Sequence, residues 1–230
     1  MKFIHPWVIM SYMQGMFITF EGMEGCGKTS QAKMLSDYLT GQGYKVIMTR
    51  EPGGTPISEA VREILLSNDF VTMHPHTEVL LYLAGRAQHV AEIIKPAIEN
   101  NSIVICDRFS DSTFVYQCFV RGIKKEMVEA MNNFAINSTL PDLTFVLDVE
   151  PEEGLKRAML RNQKQHRGQD RIESESIEFH QRVREGYLKL AQEYPARVHL
   201  IKTDKEKDEV HEEIKKTIDK FLKKGKRTAL

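Results

Sequence analysis

The 230-residue chain is poor in cysteine and has no excess of charge of either sign, and both scarcities narrow what it can be. Its three cysteines, Cys26, Cys106 and Cys118, are odd in number and show neither CxxC nor metal-type spacing. That argues against a disulfide scaffold or a zinc site and for a reducing compartment. Thirty-two basic residues balance 32 acidic ones, so no global field recruits nucleic acid or an anionic membrane, and any basic site must be local. Internal repeats and domain-dividing linkers are also missing. The one stretch that could be taken for a signal peptide, within Met1 to Gly15, is interrupted by His5-Pro6 and has no small-residue cleavage site after it. The expectation is a cytoplasmic protein with an N-terminal extension over residues 1–15, to which no function attaches, and a single domain over 16–230. Met10, Met13 and Met16 are all possible starts.

What is present begins with Gly22-Met23-Glu24-Gly25-Cys26-Gly27-Lys28-Thr29, a full match to the phosphate-cradling pattern GxxxxGK[ST]. The glycines let the backbone curl so that its N–H groups face an anion, and a helix starting there adds its positive end. Lys28 reaches the outer phosphates, and the Thr29 hydroxyl is a Mg²⁺ ligand. The required context is there, with Met16 to Phe20 reading as a strand and Ser30 to Leu39 as a helix. The motif says nucleoside triphosphate and leaves the reaction open.

Apolar β-type runs recur at Phe17–Phe20, Lys45–Met48, Ile103–Cys106, Leu143–Leu147 and Val198–Ile201, with helix-length stretches between them. Strand and helix in alternation predict an α/β fold, a parallel sheet covered on both faces. Thr55-Pro56 reads as a helix start, Thr77 to Asn100 as a long helix broken or kinked near Pro96, and Ser174 to Tyr194 as another helix. Arg161 to Arg171 is polar, lacks aliphatic residues and reads as a mobile cationic lid at about 160–171. The basic run Lys223 to Arg227 reads as a frayed terminus.

The second acidic motif narrows the reaction. Ile103-Val104-Ile105-Cys106-Asp107 is followed by Arg108, where a motor ATPase would carry an acidic base to activate water. Arginine cannot do that, but it can hold a second phosphate while Asp107 orders the Mg²⁺ shell. A DxxG switch and a guanine-reading [NT]KxD are both missing, and Ile201-Lys202-Thr203-Asp204 is only a near miss. Transfer of the γ-phosphoryl group to an acceptor other than water remains. Arg50 and Arg108 both stand at strand ends, facing the crevice where open α/β sheets bind ligands. Tyr82 and Arg86, four apart, share a helix face suited to stacking on a nucleobase and donating to its carbonyl. Taken alone, without the neighbouring motifs, Tyr82 reads more readily as a core aromatic and Arg86 as a surface ion-pair partner.

The phosphate loop with Glu24 inside it, Thr49-Arg50-Glu51-Pro52-Gly53-Gly54-Thr55, Leu80 to Arg86, Asp107-Arg108-Phe109 through Ser112 to Tyr116-Gln117, Pro141-Asp142-Leu143 and Asp170-Arg171-Ile172-Glu173 occur in order. Together they resemble the thymidylate kinase (dTMP kinase) family, a branch of the P-loop nucleoside monophosphate kinases, from about Met16 to the C-terminus. The resemblance implies a five-stranded parallel sheet wrapped by helices, a homodimer, ATP as co-substrate with Mg²⁺, and no nucleic-acid or membrane partner. By similarity Gly22 to Thr29 hold ATP, Arg50 and Arg108 hold the acceptor phosphate, and Glu24 approaches the sugar 3′-hydroxyl. Tyr82 would stack on thymine, Arg86 donate to the base, and Tyr116 with Gln117 close on the sugar and disfavour a ribose. Thr29 and Asp107 would serve the metal.

One family branch places an arginine in the phosphate loop, whereas here the variable positions are Met23, Glu24, Gly25 and Cys26. The bacterial-type branch brings arginines from the lid, which makes Arg161, Arg167 and Arg171 the catalytic candidates beside Lys28 and Arg108. Arg171 falls inside the best-matched motif. The lid is longer than the compact bacterial pattern, Tyr82 replaces a common phenylalanine, and Phe109 stands where tyrosine or histidine is frequent. The implied activity is phosphorylation of dTMP to dTDP. A kinase for another nucleotide or nucleoside acceptor is the alternative, and a slow regulatory switch a third.

Overall fold

Five short runs of β-branched and aromatic residues become five strands, β1 (Met16–Glu21), β2 (Val46–Arg50), β3 (Ile103–Asp107), β4 (Leu143–Asp148) and β5 (Val198–Lys202). The computed structural model describes residues 15–228, so the first 14 residues of the expected extension lie outside the described residues. All strand pairs are parallel, in the order β2-β3-β1-β4-β5. The register sets Phe20 opposite Asp107 and Phe145, which brings the ends of β1, β3 and β4 to one edge.

The helices are α1 (Lys28–Gly41), α2 (Pro56–Leu66), α3 (Pro75–His89), α4 (Lys95–Glu99), α5 (Ser110–Thr113), α6 (Lys125–Ile136), α7 (Pro151–Lys164), α8 (Ile177–Glu193) and α9 (Lys207–Thr228). Alternation along β1 splits the core between the two sheet faces. Ile18 and Phe20 pack with Leu35 of α1, Tyr187 of α8 and Ile214 of α9, whereas Phe17 packs with Val90, Ile94 and Phe109. Each such side chain, fully buried, contributes about 1.5–3 kcal/mol.

Thr55 caps α2 as expected, accepting a hydrogen bond from Ser58 N at 3.2 Å ahead of Pro56 in the first turn. The break expected near Pro96 takes the form of a π turn over Val90–Ile94, just before the proline that lacks an N–H to close an ordinary turn. Two expectations need correction. Arg161 to Lys164 form the last turn of α7, so the lid loop proper spans 165–176, and α9 continues through the basic run expected to fray. Arg161 and Lys164 in that last α7 turn lie at the negative end of the helix dipole, which favours helix there.

Candidate active site

β1 runs straight into the phosphate loop, and two of its glycines are sterically required. A Cβ on Gly22 (φ 131°) would lie 2.4 Å from Leu147 O, and one on Gly25 (φ 72°) 1.9 Å from Gly154 O. Gly27 (φ 100°) then caps α1, whose first turn holds no acidic residue, leaving its positive end open to an anion. Lys28 is buried along the loop, its Nζ donating to Met23 O at 2.7 Å and Gly22 O at 3.1 Å. Burial pushes the Cys26 thiol above its ordinary pKa despite the nearby Lys28, so Cys26 fills space and is not an activated thiolate. The Thr29 hydroxyl donates to Asp107 Oδ2 from across the crevice.

Beyond Asp107 the chain turns through Arg108 at φ 70°, in the left-handed region. Its guanidinium lies 5.4 Å above the Tyr116 ring. It donates to Glu24 Oε1 at 2.6 Å, Gly22 O at 2.9 Å and Tyr187 OH at 3.1 Å. Tyr116 OH also donates to Glu24, at 3.0 Å. Burial alone would raise the Glu24 pKa, but Arg108 with His180 and Lys28 outweighs it and holds the carboxyl well below the usual range. Glu24, Tyr82, Arg108, Tyr116 and Gln117 line one cavity at the carboxyl ends of the strands. The Gln117 amide nitrogen donates to Glu78 Oε1 at 3.0 Å, leaving its carbonyl oxygen as the free acceptor.

The other expected residues are placed differently. Arg86 is 2% exposed and does not line the cavity. Its Nε donates to Glu51 Oε2, its NH1 to Thr113 and Asn132, and its NH2 to Phe109 O while 2.8 Å from Glu51 Oε2. With those donors engaged it braces the cavity wall, and the expected contact with a base would draw on the same guanidinium. Arg50 is half-exposed and bound to both Glu59 oxygens at 2.8 and 2.9 Å, outside the lining. Arg171, expected on the phosphates, is buried with its Nε on Leu65 O at 2.9 Å and NH2 2.6 Å from Glu78 Oε2. Arg161 pairs with Glu173 at 2.5 Å, and Arg167 is exposed with no ion pair among the described residues.

Sequence reasoning assigned no role to several residues at the cavity. Arg62 reaches it from α2 while its NH1 donates to Pro52 O at 2.8 Å, and Glu51, Ser112 and Asp170 line it too. An arginine on an amphipathic helix carries no signal that separates it from a surface charge. Nor did the buried Glu21 at the end of β1 stand out. It accepts from Phe109 N at 2.8 Å, Ser112 Oγ at 2.6 Å and Tyr187 OH at 2.9 Å. Burial and then Asp111 push its pKa up to about 7 against Arg108 and these hydrogen bonds.

The arrangement offers anion donors in two places, the loop with the start of α1, and Arg108 with Arg62 in the cavity lining. The residue after Asp107 remains unable to activate water. Among the described residues no helix is long and apolar enough to cross a membrane.

Comparison with known proteins agrees with this geometry. The family model described as Thymidylate kinase matches residues 20–214. The chain is 48% identical to the thymidylate kinase of Clostridium novyi (strain NT) over 202 residues, 88% of this chain and 97% of that one. It is 47% identical to that of Maridesulfovibrio salexigens over 210 residues, 90% and 97% of the two chains. The crystal structure of thymidylate kinase from Ehrlichia chaffeensis superposes with a TM-score of 0.72 at 35% identity, covering 89% of this chain and 98% of that one. With its phosphate loop, strand order and Asp107-Arg108 turn, the chain belongs to the thymidylate kinase family.

Proposed function

We propose that this chain is a nucleoside monophosphate kinase that transfers the γ-phosphoryl group of ATP to dTMP, giving ADP and dTDP for deoxynucleotide synthesis. The observation that carries this reading is a single cavity bringing Glu24, Arg108, Tyr116, Gln117 and Tyr82 together beside the phosphate loop. A nucleoside monophosphate has a second pKa of about 6 and is largely dianionic at neutral pH, so its attack needs no general base. The protein's task is alignment and charge neutralisation.

In this account the loop amides and Lys28 hold the ATP phosphates in place of the carbonyls Lys28 now touches. Arg108 holds the acceptor phosphate, and Arg62, in the same lining, stands in better position to assist than Arg50. Tyr82 stacks on the base. The free Gln117 oxygen accepts the thymine N3–H, which cytosine lacks at that position. Tyr116, fixed by Glu24, closes on the sugar where a 2′-hydroxyl would stand. Of the lid cations, Arg167 is unencumbered and Arg161 half-exposed, so these two are assigned to the transferred group ahead of Arg171.

Thr29 and Asp107 fit a magnesium ion. Their hydroxyl and carboxylate meet at the mouth of the loop, and among the described residues no group of three or more His, Cys, Asp or Glu offers a full protein cage. A magnesium ion suits that sparse oxygen set because it retains waters and takes its other ligands from phosphates. When bound it neutralises charge on the β- and γ-phosphates.

We also assign a homodimer and a cytoplasmic location. Ile57 and Ile64 on α2, Leu80 on α3, and Met127 and Phe134 on α6 are exposed, Phe134 to 87%, on three helices that pack side by side. An apolar face of this kind suits a second copy.

Coupled ADP release with dTMP, dCMP, dUMP, dGMP and thymidine tests the assignment. The expected order puts dTMP first and thymidine near background, and turnover with none of the monophosphates refutes it.

A further inference from the structure

His180, in the first turns of α8, is fully buried, and neither ring nitrogen has a hydrogen-bond partner among the described residues. A phenylalanine would fill the same space without two unsatisfied polar atoms, so packing alone does not account for an imidazole here. Its Nδ1 stands 3.5 Å from Glu24 Oε2. The two Glu24 oxygens are served unequally. Oε1 receives Arg108 at 2.6 Å and Tyr116 OH at 3.0 Å, whereas Oε2 has only the longer Tyr116 contact at 3.2 Å.

Arg108 has a second demand on it, since the acceptor phosphate must draw on the same guanidinium. As it turns, Glu24 loses its closest counter-charge in a site with little access to water, and a replacement donor has to come from the Oε2 side. His180 is already there. α8 begins directly after the lid loop, with Ser176 Oγ accepting from Phe179 N at 3.3 Å, and the Phe179 ring lies 6.1 Å from that of Tyr116. The segment that brings the lid therefore also carries the imidazole.

We propose that His180 is a positioning residue, donating from Nδ1 to Glu24 Oε2 as Arg108 turns to the acceptor phosphate and so holding Oε1 toward the sugar 3′-hydroxyl. This rests on the reading of Glu24 given above. The test compares dTMP with its 3′-deoxy analogue as acceptors for the wild type, His180→Phe, His180→Met, His180→Gln and Glu24→Gln, with kcat and KM measured separately.

The phenylalanine and methionine variants should lower the preference for dTMP by about tenfold, through KM for dTMP, while the 3′-deoxy analogue's constants stay within about twofold. His180→Gln, which keeps a donor, should restore most of the preference. Should His180→Phe fail to fold, the His180→Met and His180→Gln pair carries the same comparison. If Glu24→Gln collapses the preference and neither apolar His180 variant does, the inference is overturned and the Glu24 reading stands. If Glu24→Gln leaves the preference intact, both are overturned.

Discussion

Arg171 and Glu78 form a buried ion pair, NH2 to Oε2 at 2.6 Å, that ties the lid loop to α3. Burial would raise the Glu78 pKa, but Arg121 and Arg171 outweigh it and keep the carboxyl ionised. The same carboxylate accepts from Gln117, so one buried charge joins the cavity wall to the lid.

Removing Arg171 leaves that charge with Arg121 as its one remaining counter-charge among the described residues and the Gln117 hydrogen bond. Arg171→Ala should destabilise the protein by about 2 kcal/mol, less than a wholly orphaned buried charge costs. The melting temperature should fall by about 4–8 °C, read by calorimetry. An unchanged melting temperature with lost kcat would instead put Arg171 on the phosphates.

Lys28 contacts only its own loop, so its loss should be felt in turnover more than in folding. Lys28→Ala should lower kcat by at least about 10²-fold in the ADP-release assay, with the melting temperature nearly kept. Retention of more than about a tenth of the activity would remove Lys28 from the transition-state role.

Glu21 gives a pH dependence of definite sign. Its pKa in the fold, about 7, lies above its ordinary 4.5, so the fold favours the neutral carboxyl. That stabilisation is complete below about 4.5 and is lost as pH rises through about 7. Glu21→Gln keeps a neutral group throughout, so thermal melting should show the variant gaining on the wild type between about pH 5 and pH 8. Parallel curves would contradict this.

The exposed apolar face on α2, α3 and α6 is tested by charge. Phe134→Glu should convert a dimer to a monomer in sedimentation equilibrium, and its melting temperature should lose the protein-concentration dependence of the wild type while the fold is kept, because Phe134 is not part of the core. A monomeric wild type would end the assignment.

Local chemistry made the strands, the α2 cap and the phosphate loop legible, since each depends on neighbours within a few residues. Arg108 was legible because it follows β3 directly, and Tyr116 and Gln117 only through the family resemblance. The ion-pair partners of Arg86 and Arg171 were not, because their carboxylates, Glu51 and Glu78, come from distant segments that only the folded sheet and helices bring close. Arg62 and Arg50 show the same limit in reverse. Helix position gave no hint that Arg62 lines the cavity, and the strand end gave none that Glu59 occupies Arg50.

The most direct test of the central claim follows the fate of the transferred group. Incubating the protein with ATP labelled at the γ-phosphate, Mg²⁺ and dTMP should place the label in the β-phosphate of dTDP, with ADP formed in equal amount and negligible free phosphate. Label released as inorganic phosphate, with dTMP unchanged, would mean that water is the acceptor and would contradict the account.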